Sequence, residues 1–322
     1  MFELTCSDFE EFARAIQGAD SRVMRTGPEE SGWWLREVGL SQVGVQLAQE
    51  GAPNIFDGAS WPNAVNLLMA LEGAPFYLNG EAFTGDSIGL LAPGRAFTSL
   101  ASGTNTWTSI AIPVSVFRES CGSADDRRFQ QILSGRTPLV RTKPLHAARL
   151  HHLIGQLFQQ ARAGALDDEE ARRSAECEIL YATAVALDDS FADIADRHGG
   201  RPPVARRFVV DRALEWMSAH ENAPLRVTDL AKAAGVSERT LRNVFIECFG
   251  MGPLRYIHLH QVHQVHRALA AADPERTTVT GVAMKLGVWD LDGLATRYRR
   301  TFGKSPRSTL RNAPDQRQTS IR

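Results

Sequence analysis

The stretch that decides the fold is VTDLAKAAGVSERTLRNVFIECFG, from Val227 to Gly250, and a second version of it, VTGVAMKLGVWDLDGLATRYRRTFG, runs from Val279 to Gly303. In each version a short apolar helix is followed by a glycine, Gly235 or Gly287, and then by a helix with basic side chains. A glycine at that corner supplies the positive φ that a sharp turn between helices needs. The pattern therefore predicts two helix-turn-helix motifs in tandem, a type of motif whose second helix enters a DNA major groove.

In the first motif, Thr228 and Ser237 are predicted to cap the two helices with their hydroxyls. Leu241, Phe245 and Phe249 recur every four residues, so they share one buried face of the second helix. The opposite face carries polar and basic side chains in its first two turns, where a recognition helix reaches base edges. The predicted DNA-binding residues are Ser237, Arg239, Thr240, Arg242 and Asn243.

In the second motif, Thr280 and Asp290 are the predicted caps. The core stripe of the last major helix comprises Leu291, Leu294, Tyr298 and Phe302. Arg299 and Arg300 stand near the helix end, a position that suits phosphates better than bases. The predicted DNA-binding residues are Asp292, Gly293, Thr296, Arg297, Arg299 and Arg300.

Charge is divided unevenly along the chain, although the net charge is only -1. From residue 201 onward there are 20 Lys+Arg against 11 Asp+Glu, a balance of +9. The first 200 residues hold the remaining 16 and 26, a balance of -10. A basic C-terminal third suits a polyanionic partner, although a solvated surface of mixed charge would give the same count.

The pattern of residues 43 to 113 predicts short strands separated by turn residues, which indicates a small barrel or a sandwich. Asn79-Gly80 predicts a tight hairpin, because both residues tolerate positive φ. The predicted strands are Val43–Leu47, Ala64–Leu71, Phe76–Leu78, Ile88–Leu91 and Trp107–Ile112, with an amphipathic turn at Phe9–Ile16 and helices at Leu145–Ala163 and Glu169–Asp188.

A linker follows, because residues 192–203 contain two glycines and two prolines in succession. At 322 residues about two domains are expected. The overall class is α+β, with a sheet-rich N-terminal domain, flanking helices and an all-α C-terminal domain. The predicted boundaries are 1–190 for the first domain, 191–204 for the linker, 205–312 for the second domain with motifs near 228–249 and 280–302, and 313–322 for a tail.

The motifs belong to a longer pattern that covers a third of the chain. Its residues are Asp229-Leu230-Ala231, Gly235-Val236-Ser237, Thr240-Leu241, Phe245, Phe249-Gly250, Pro253, Tyr256-Ile257, Val282-Ala283, Leu286-Gly287, Tyr298-Arg299, Phe302-Gly303, Ser305-Pro306 and Leu310-Arg311. In this pattern, residues 205–311 resemble the AraC/XylS family of bacterial transcription regulators. Trp289-Asp290-Leu291, Leu294-Ala295 and Ser308-Thr309-Leu310 look closest to the subgroup that contains the ethanolamine-responsive regulator.

The resemblance implies seven helices, with a rigid central helix over Pro253–Ala271 that holds two recognition helices in successive major grooves, about 34 Å apart. It also implies a homodimeric, effector-controlled regulator, most often an activator, that contacts RNA polymerase. Three positions depart from the family pattern, namely Asn243, Gln261 and Thr296. Base preference therefore does not transfer to this chain.

The N-terminal strand pattern looks like the cupin-type barrel of many members, and Gly85-Asp86 with the run to Gly94 resembles half of the cupin signature. Metal cupins supply histidines from their strands, whereas this chain has none before His146 and has Phe97 where a ligand is expected. We therefore expect an effector-sensing and dimerisation domain that binds an organic ligand rather than a metal. Its candidate effector-binding residues are Trp33, Trp34, Trp61, Tyr77, Phe97 and Trp107.

Two alternatives stay open. Arg197 and Arg201 in the linker resemble the RxxxR element of PilZ-type receptors, so cyclic di-GMP is an alternative effector, although a solvated linker would have the same sequence. The second alternative is a small-molecule-binding or enzymatic cupin-like barrel whose basic domain serves only for interaction.

The remaining features are mainly exclusions. No nucleophile elbow, phosphate loop or metal triad is visible, so we expect neither an enzyme nor a cofactor. Scattered cysteines and the lack of an apolar leader or membrane span predict a reduced, cytoplasmic protein. His258, His260, His263 and His266 on the central helix predict no metal site; a weaker hypothesis is that they gain protons near DNA and strengthen binding below about pH 6.5.

Overall fold

The computed structural model describes residues 1–16, 21–121, 130, 132–133, 139–194, 206–220, 223 and 225–313. The chain divides into two compact units. The first unit, which carries the sheets, comprises Met1–Val23, Glu30–Ala52 and Phe56–Arg201; the second, which carries the helix-turn-helix motifs, comprises Met24–Glu29, Pro53–Ile55 and Pro202–Arg322. In the described residues no helix has both the length and the hydropathy needed to cross a bilayer.

Twelve strands run through the described part of the N-terminal half. They are β1 Phe2–Cys6, β2 Ser21–Arg25, β3 Trp33–Gly39, β4 Gly44–Glu50, β5 Asn54–Ala59, β6 Ala64–Gly73, β7 Phe76–Leu78, β8 Glu81–Ala82, β9 Ser87–Leu91, β10 Ala96–Ala101, β11 Asn105–Pro113 and β12 Leu139–Arg141. The predicted hairpin at Asn79-Gly80 is confirmed, since φ is 51° and 84° at these residues and Leu78 pairs with Glu81. All five predicted strands are also present, with ends shifted by up to three residues.

The strands form two sheets rather than one closed sheet. The seven-stranded sheet has the order β1-β3-β4-β11-β6-β9-β12, and the five-stranded sheet has the order β2-β5-β10-β7-β8. Neither sheet closes on itself among the described strands, so the predicted cupin-like barrel is not established. The result is a sheet-rich unit in which β3, β4, β11, β6 and β9 pair antiparallel with their neighbours.

Strand alternation divides the residues of the seven-stranded sheet between two environments, because successive side chains point to opposite faces. Val45, Leu67 and Ile110 belong to a large hydrophobic core that also includes residues of three helices. Their neighbours Gln46, Asn66, Leu68 and Ser109 instead line an internal cavity. The helices of this unit are α1 Phe9–Ala15, α2 Val114–Cys121, α3 Pro144–Arg162 and α4 Glu169–Ile194, of which α2, α3 and α4 contribute to that core.

The second unit has seven described helices, which is the number that the family resemblance implied. They are α5 Arg206–Ala219, α6 Val227–Ala234, α7 Glu238–Phe249, α8 Pro253–Ala270, α9 Val279–Lys285, α10 Leu291–Phe302 and α11 Pro306–Arg311. The predicted central helix is confirmed as α8, and most of its described side chains are buried. Both helix-turn-helix motifs pack on it, α7 near its start and α10 near its end.

Gly73 provides a test of the sheet geometry. It ends β6 with φ of 117°, and an added Cβ would lie 2.6 Å from Asn105 Cα, a backbone atom that cannot move aside. We predict that Gly73→Ala destabilises the first unit by roughly 2 kcal/mol or more, because strain and overlap add. Gly39→Ala is the control, since nothing lies within 4 Å of its added Cβ. Urea unfolding followed by circular dichroism would measure both, and equal midpoints would contradict the packing described.

Candidate nucleic-acid interface

The first recognition helix, α7, begins where the sequence placed it. Ser237 is its N-cap, and its hydroxyl oxygen accepts a hydrogen bond from the Thr240 backbone N–H at 3.1 Å. Gly235 at the corner has φ of 68°, as a sharp turn requires. The predicted cap at Thr228 is wrong: α6 already begins at Val227, and its N-cap, Arg226, makes no side-chain capping bond. One of the predicted DNA-binding residues, Ser237, thus also has a structural role.

Burial separates the two faces of α7. Leu241, Phe245 and Phe249 are fully buried, and the two phenylalanine rings lie 5.4 and 4.5 Å from the ring of Tyr256 on α8. The predicted base-reading side chains lie on the other face, where Arg239, Arg242 and Asn243 are exposed and Thr240 is half-buried. The core face fixes the helix, and the polar face is accessible to a ligand.

The second motif is built in the same way, with its first cap two residues earlier than predicted. Thr278, not Thr280, caps α9, because its hydroxyl oxygen accepts from the Gly281 N–H at 3.1 Å. Gly287 turns the chain with φ of 69°. Asp290 caps α10 as predicted and accepts from the Gly293 N–H at 2.9 Å.

Asp290 has a second partner, the guanidinium of Arg297 at 3.1 Å from its other carboxylate oxygen. The bond from the Gly293 N–H, and then the bond from Arg297, lower the pKa of the Asp290 carboxyl below its ordinary value. Both bonds favour the ionised cap. The side chain of Arg297 is therefore held along the helix by its own N-cap.

The outer face of α10 carries the other predicted DNA-binding residues. Asp292, Thr296, Arg299 and Arg300 are exposed, whereas Gly293 is half-buried. The Thr296 hydroxyl donates to the Asp292 carbonyl oxygen at 3.0 Å, so part of its hydrogen-bonding capacity is used within the helix. The core stripe faces inward through Leu294, Tyr298 and Phe302, although Leu291 is only half-buried.

A single cleft joins the two motifs. It has a volume of about 810 Å³ and lies among α7, the start of α8 and α10. Its walls include five arginines, with two from the first recognition helix, two from the second and one from α8: Arg239, Arg242, Arg297, Arg300 and Arg255. Glu238 is the one acidic residue among the described residues that line it. Basic groups from both motifs therefore face the same space.

Two exposed residues next to this surface were not predicted. Arg255, in the first turn of α8, lines the cleft, and its signal was a basic residue two positions after the Pro253 that starts a helix. Trp289 is 74% exposed and stands directly before the N-cap of α10. An exposed tryptophan at the start of a recognition helix is available for apolar contact with a partner.

The central-helix histidines are mostly structural. His260 and His263 are buried, and the His263 ring shares a hydrogen bond with the Arg25 carbonyl oxygen at 2.9 Å. Burial lowers the pKa of His263 to about 3. Burial, and then Arg297, lower the pKa of His258. Both therefore favour the neutral form at neutral pH, which argues against proton uptake near DNA. Within the described residues, no group of three or more His, Cys, Asp or Glu side chains is placed to hold a metal ion.

The predicted effector-binding residues of the first unit separate into three groups. Trp61, Phe97 and Trp107 line the internal cavity between the sheets. Trp33 is buried beside Phe12, with ring centroids 5.2 Å apart, and lines no part of that cavity. Tyr77 and Trp34 also stand away from it. Arg197 and Arg201 lie outside the described residues.

Comparison with known proteins agrees with the architecture of the second unit. The sequence model of a family described as "Helix-turn-helix domain" matches residues 230–312. The "Probable thc operon regulatory protein" of Rhodococcus erythropolis is 33% identical over 113 residues, and "XylDLEGF operon transcriptional activator 2" of Pseudomonas putida is 28% identical over 100 residues. Residues 230–312 therefore match a helix-turn-helix domain and are similar to domains of named operon regulators, whereas the ethanolamine-responsive subgroup is not established.

These relatives share only part of their length with this chain. The match covers 35% of this chain and 34% of the Rhodococcus protein, and 31% of this chain and 64% of the Pseudomonas protein. A solved structure, "a probable AraC family transcriptional regulator from Rhodopseudomonas palustris CGA009", is 28% identical over 33% of this chain and 96% of its own, with a TM-score of 0.30.

The buried histidine predicts a pH-dependent stability. Because the folded pKa of His263 is lowered to about 3, the unfolded chain binds more protons between that value and about pH 6.5, and stability falls as pH decreases through this window. Between pH 7.5 and 5.5 this one group should reduce the free energy of unfolding by about 1.4 kcal/mol. Urea titrations at both pH values measure the change.

The matched variants are His263→Gln and His152→Gln. The first keeps a donor for the Arg25 carbonyl and should lose this part of the pH dependence. The second replaces an exposed histidine of α3 and should leave the pH dependence as it is. Equal pH dependence in all three proteins would rule out a buried, neutral His263.

Proposed function

We propose that the helix-turn-helix domain of the second unit is of the AraC type and binds double-stranded DNA in a sequence-specific manner, and that the whole chain is a transcription regulator under the control of a small-molecule effector. The observation that carries the proposal is the cleft in which arginines from both recognition helices meet. Exposed polar faces on α7 and α10, each backed by a buried aromatic stripe, support it. The curated relatives are named as operon regulators.

The exposed faces of α7 and α10 have different roles in binding: α7 provides specificity and the end of α10 provides affinity. Arg239, Arg242 and Asn243, in the first turns of α7, are suited to base edges, since Arg pairs with guanine and Asn with adenine. Arg299 and Arg300, at the end of α10, are suited to phosphates, which position a protein without reading sequence. The mechanism is placement of both recognition helices into successive major grooves, with the effector changing that placement.

Several finer features remain proposals. The chain acts by binding rather than by catalysis, in the cytoplasm, as a homodimer that recruits RNA polymerase. Activation is favoured over repression because the Pseudomonas relative is named as an activator. The two sheets of the first unit are proposed to form the cupin-like sensing domain, since their internal cavity is lined by three of the predicted effector-binding residues. The cyclic di-GMP hypothesis stays a prediction about residues outside the described ranges.

The arginine-lined cleft predicts strong salt dependence. If about 6–10 phosphates are neutralised, affinity should fall roughly 10³–10⁵-fold between 50 and 200 mM salt, because each contact releases counterions. Fluorescence anisotropy with a labelled genomic duplex, selected by retention on the purified protein, measures the slope. Affinity that hardly changes with salt would contradict a polyanion interface.

Substitutions distinguish base contacts from phosphate contacts. Arg242→Ala should cost about 1–3 kcal/mol at the preferred duplex and relax discrimination against scrambled duplexes. Arg300→Ala should weaken binding to preferred and scrambled duplexes about equally, because phosphates are common to both.

Arg276→Ala is the control, since Arg276 is an exposed arginine of the same unit, in neither recognition helix. Competition binding with both duplexes measures all three variants. A selective loss in Arg300→Ala, or a uniform loss in Arg242→Ala, would reverse the assigned roles.

A further inference from the structure

A short piece of the N-terminal half of the chain belongs to the second unit. Met24–Glu29, referred to below as the inserted segment, is part of that unit together with Pro53–Ile55. The Thr26 backbone N–H donates to the Pro53 carbonyl oxygen at 2.8 Å, so the two pieces are bonded to each other. The inserted segment therefore contributes to the unit that carries both recognition helices, although it is distant from them along the sequence.

Arg25 anchors the inserted segment to the central helix and to the second recognition helix. Its carbonyl oxygen accepts a hydrogen bond from the His263 ring of α8 at 2.9 Å. Its guanidinium carbon lies 5.5 Å from the centroid of the Phe302 ring of α10, and its side chain is 5% exposed. A buried guanidinium needs partners for its charge, and the Glu29 carboxylate at 2.9 Å is one of them.

The same guanidinium reaches the C-terminal end of α10. The last four carbonyl groups of a helix have no partner within that helix, and Thr301 carries one of them in α10. Arg25 Nη2 donates to the Thr301 carbonyl oxygen at 3.4 Å. A cation at this end of a helix also interacts favourably with the helix dipole. Arg25 therefore caps the second recognition helix from outside the helix-turn-helix motifs.

This cap lies at the arginine-lined cleft. Thr301 and Thr26 both line the cleft, as does Arg300. Arg299 and Arg300 stand in the last turn of α10, so the conformation of that turn decides where their side chains point. Helix ends fray, and a donor bonded to a terminal carbonyl opposes fraying. The cap thus acts on the turn that carries the two arginines assigned to phosphates.

We propose that Arg25 is a positioning residue for DNA binding, which holds the last turn of α10 so that Arg299 and Arg300 meet the phosphate backbone. This inference rests on the proposed function. It adds a residue of the N-terminal half to the groups that determine DNA affinity, and Arg25 was not among the sequence candidates.

The salt dependence of DNA binding tests this role in the full chain. Arg25→Met keeps an unbranched apolar side chain beside Phe302 and removes the donor to Thr301. We expect roughly fivefold or more weaker binding to preferred and scrambled duplexes alike, because phosphates are common to both. The slope of log affinity against log salt concentration should decrease in magnitude by about 1–2, because up to two phosphate contacts are lost. Arg95→Met, at an exposed arginine of the first unit, should change neither quantity.

The slope distinguishes a positioning role from a general effect on stability. A variant that is only less folded loses affinity by a constant factor and keeps the slope of the unmodified chain. Weaker binding of Arg25→Met with an unchanged slope would therefore overturn the positioning role, and so would unchanged affinity.

Combined substitutions locate the effect on α10. In the Arg25→Met background, the factor by which Arg300→Ala weakens binding should be roughly twofold or more smaller than in the unmodified chain, since the last turn is already displaced. Arg242→Ala, on α7, should weaken binding by the same factor in both backgrounds. Additive losses at position 300 would contradict a local effect on the last turn of α10.

Hydrogen exchange on the unmodified chain decides the matter if Arg25→Met does not fold. Binding of the preferred duplex should leave amide exchange at Thr26 as slow as in the free protein or slower, and should slow exchange in the last turn of α10. Faster exchange at Thr26 in the complex, or a last turn without added protection, would overturn the proposal.

DNA binding by the unmodified chain distinguishes this inference from the proposed function. Binding by the unmodified chain with no effect of Arg25→Met removes the positioning role alone. A lack of binding to any duplex at low salt removes the proposed function, and the positioning role with it.

Discussion

The aromatic contacts along α8 are the constraint on which the second unit depends. Tyr256 packs against Phe245 and Phe249 of the first motif. Ten residues later, His266 stacks on Phe302 at 4.0 Å and shares a 2.7 Å hydrogen bond with the Tyr298 hydroxyl of the second motif. At a rise of about 1.5 Å per residue, these two anchors are separated by about 15 Å along one helix axis. The spacing of the two recognition helices thus follows from side chains packed along a single helix.

The polar surface of this unit follows from that buried framework. Each recognition helix has one buried face, and the position of its exposed side chains is set by where that face is anchored. The left-handed glycines at Gly235 and Gly287 permit the short turn that brings each helix pair together. The glycine turns and the tertiary packing therefore favour the same placement of the helices. As a result, basic groups from distant parts of the sequence line one cleft.

Most of the helical unit could be predicted from the sequence, because its signals are local. Glycine corners, the caps at Ser237 and Asp290, and the spacing of Leu241, Phe245 and Phe249 all act within a few residues. Thr228 and Thr280 were misassigned because each helix begins one residue before the threonine, at a valine. The N-cap of α6 is Arg226, which makes no side-chain capping bond, and the N-cap of α9 is the earlier threonine, Thr278. The sequence did not predict that Arg239, Arg255 and Arg300 line one cleft, because their proximity depends on packing around α8.

The sheet unit was predicted less completely, for a physical reason. Seven of the twelve described strands were not among the five predicted ones: β1, β2, β3, β5, β8, β10 and β12. A strand such as β3, with the sequence WWLREVG, has no bounded apolar run because its neighbours supply much of its burial. Closure into a barrel depends on long-range pairing that no short pattern reports. Glu50 and Asn66 were not predicted to line the cavity between the sheets, because a polar side chain in a strand is typical of a solvated face, and here residues of the second sheet cover that face.

The bond between Asp290 and Arg297 has a consequence for the energetics of partner recognition. Arg297 gives one guanidinium nitrogen to Asp290, so any anion that binds its remaining donors lies beside a carboxylate, and its net gain is smaller than that of an arginine without an acidic neighbour. Loss of this bond would leave the Asp290 side chain with the Gly293 N–H and weaken the first turn of α10. The second recognition helix is thus stabilised at its start by an ion pair between its own N-cap and a basic side chain two turns later, so a substitution of Arg297 changes the helix start as well as the exposed charge.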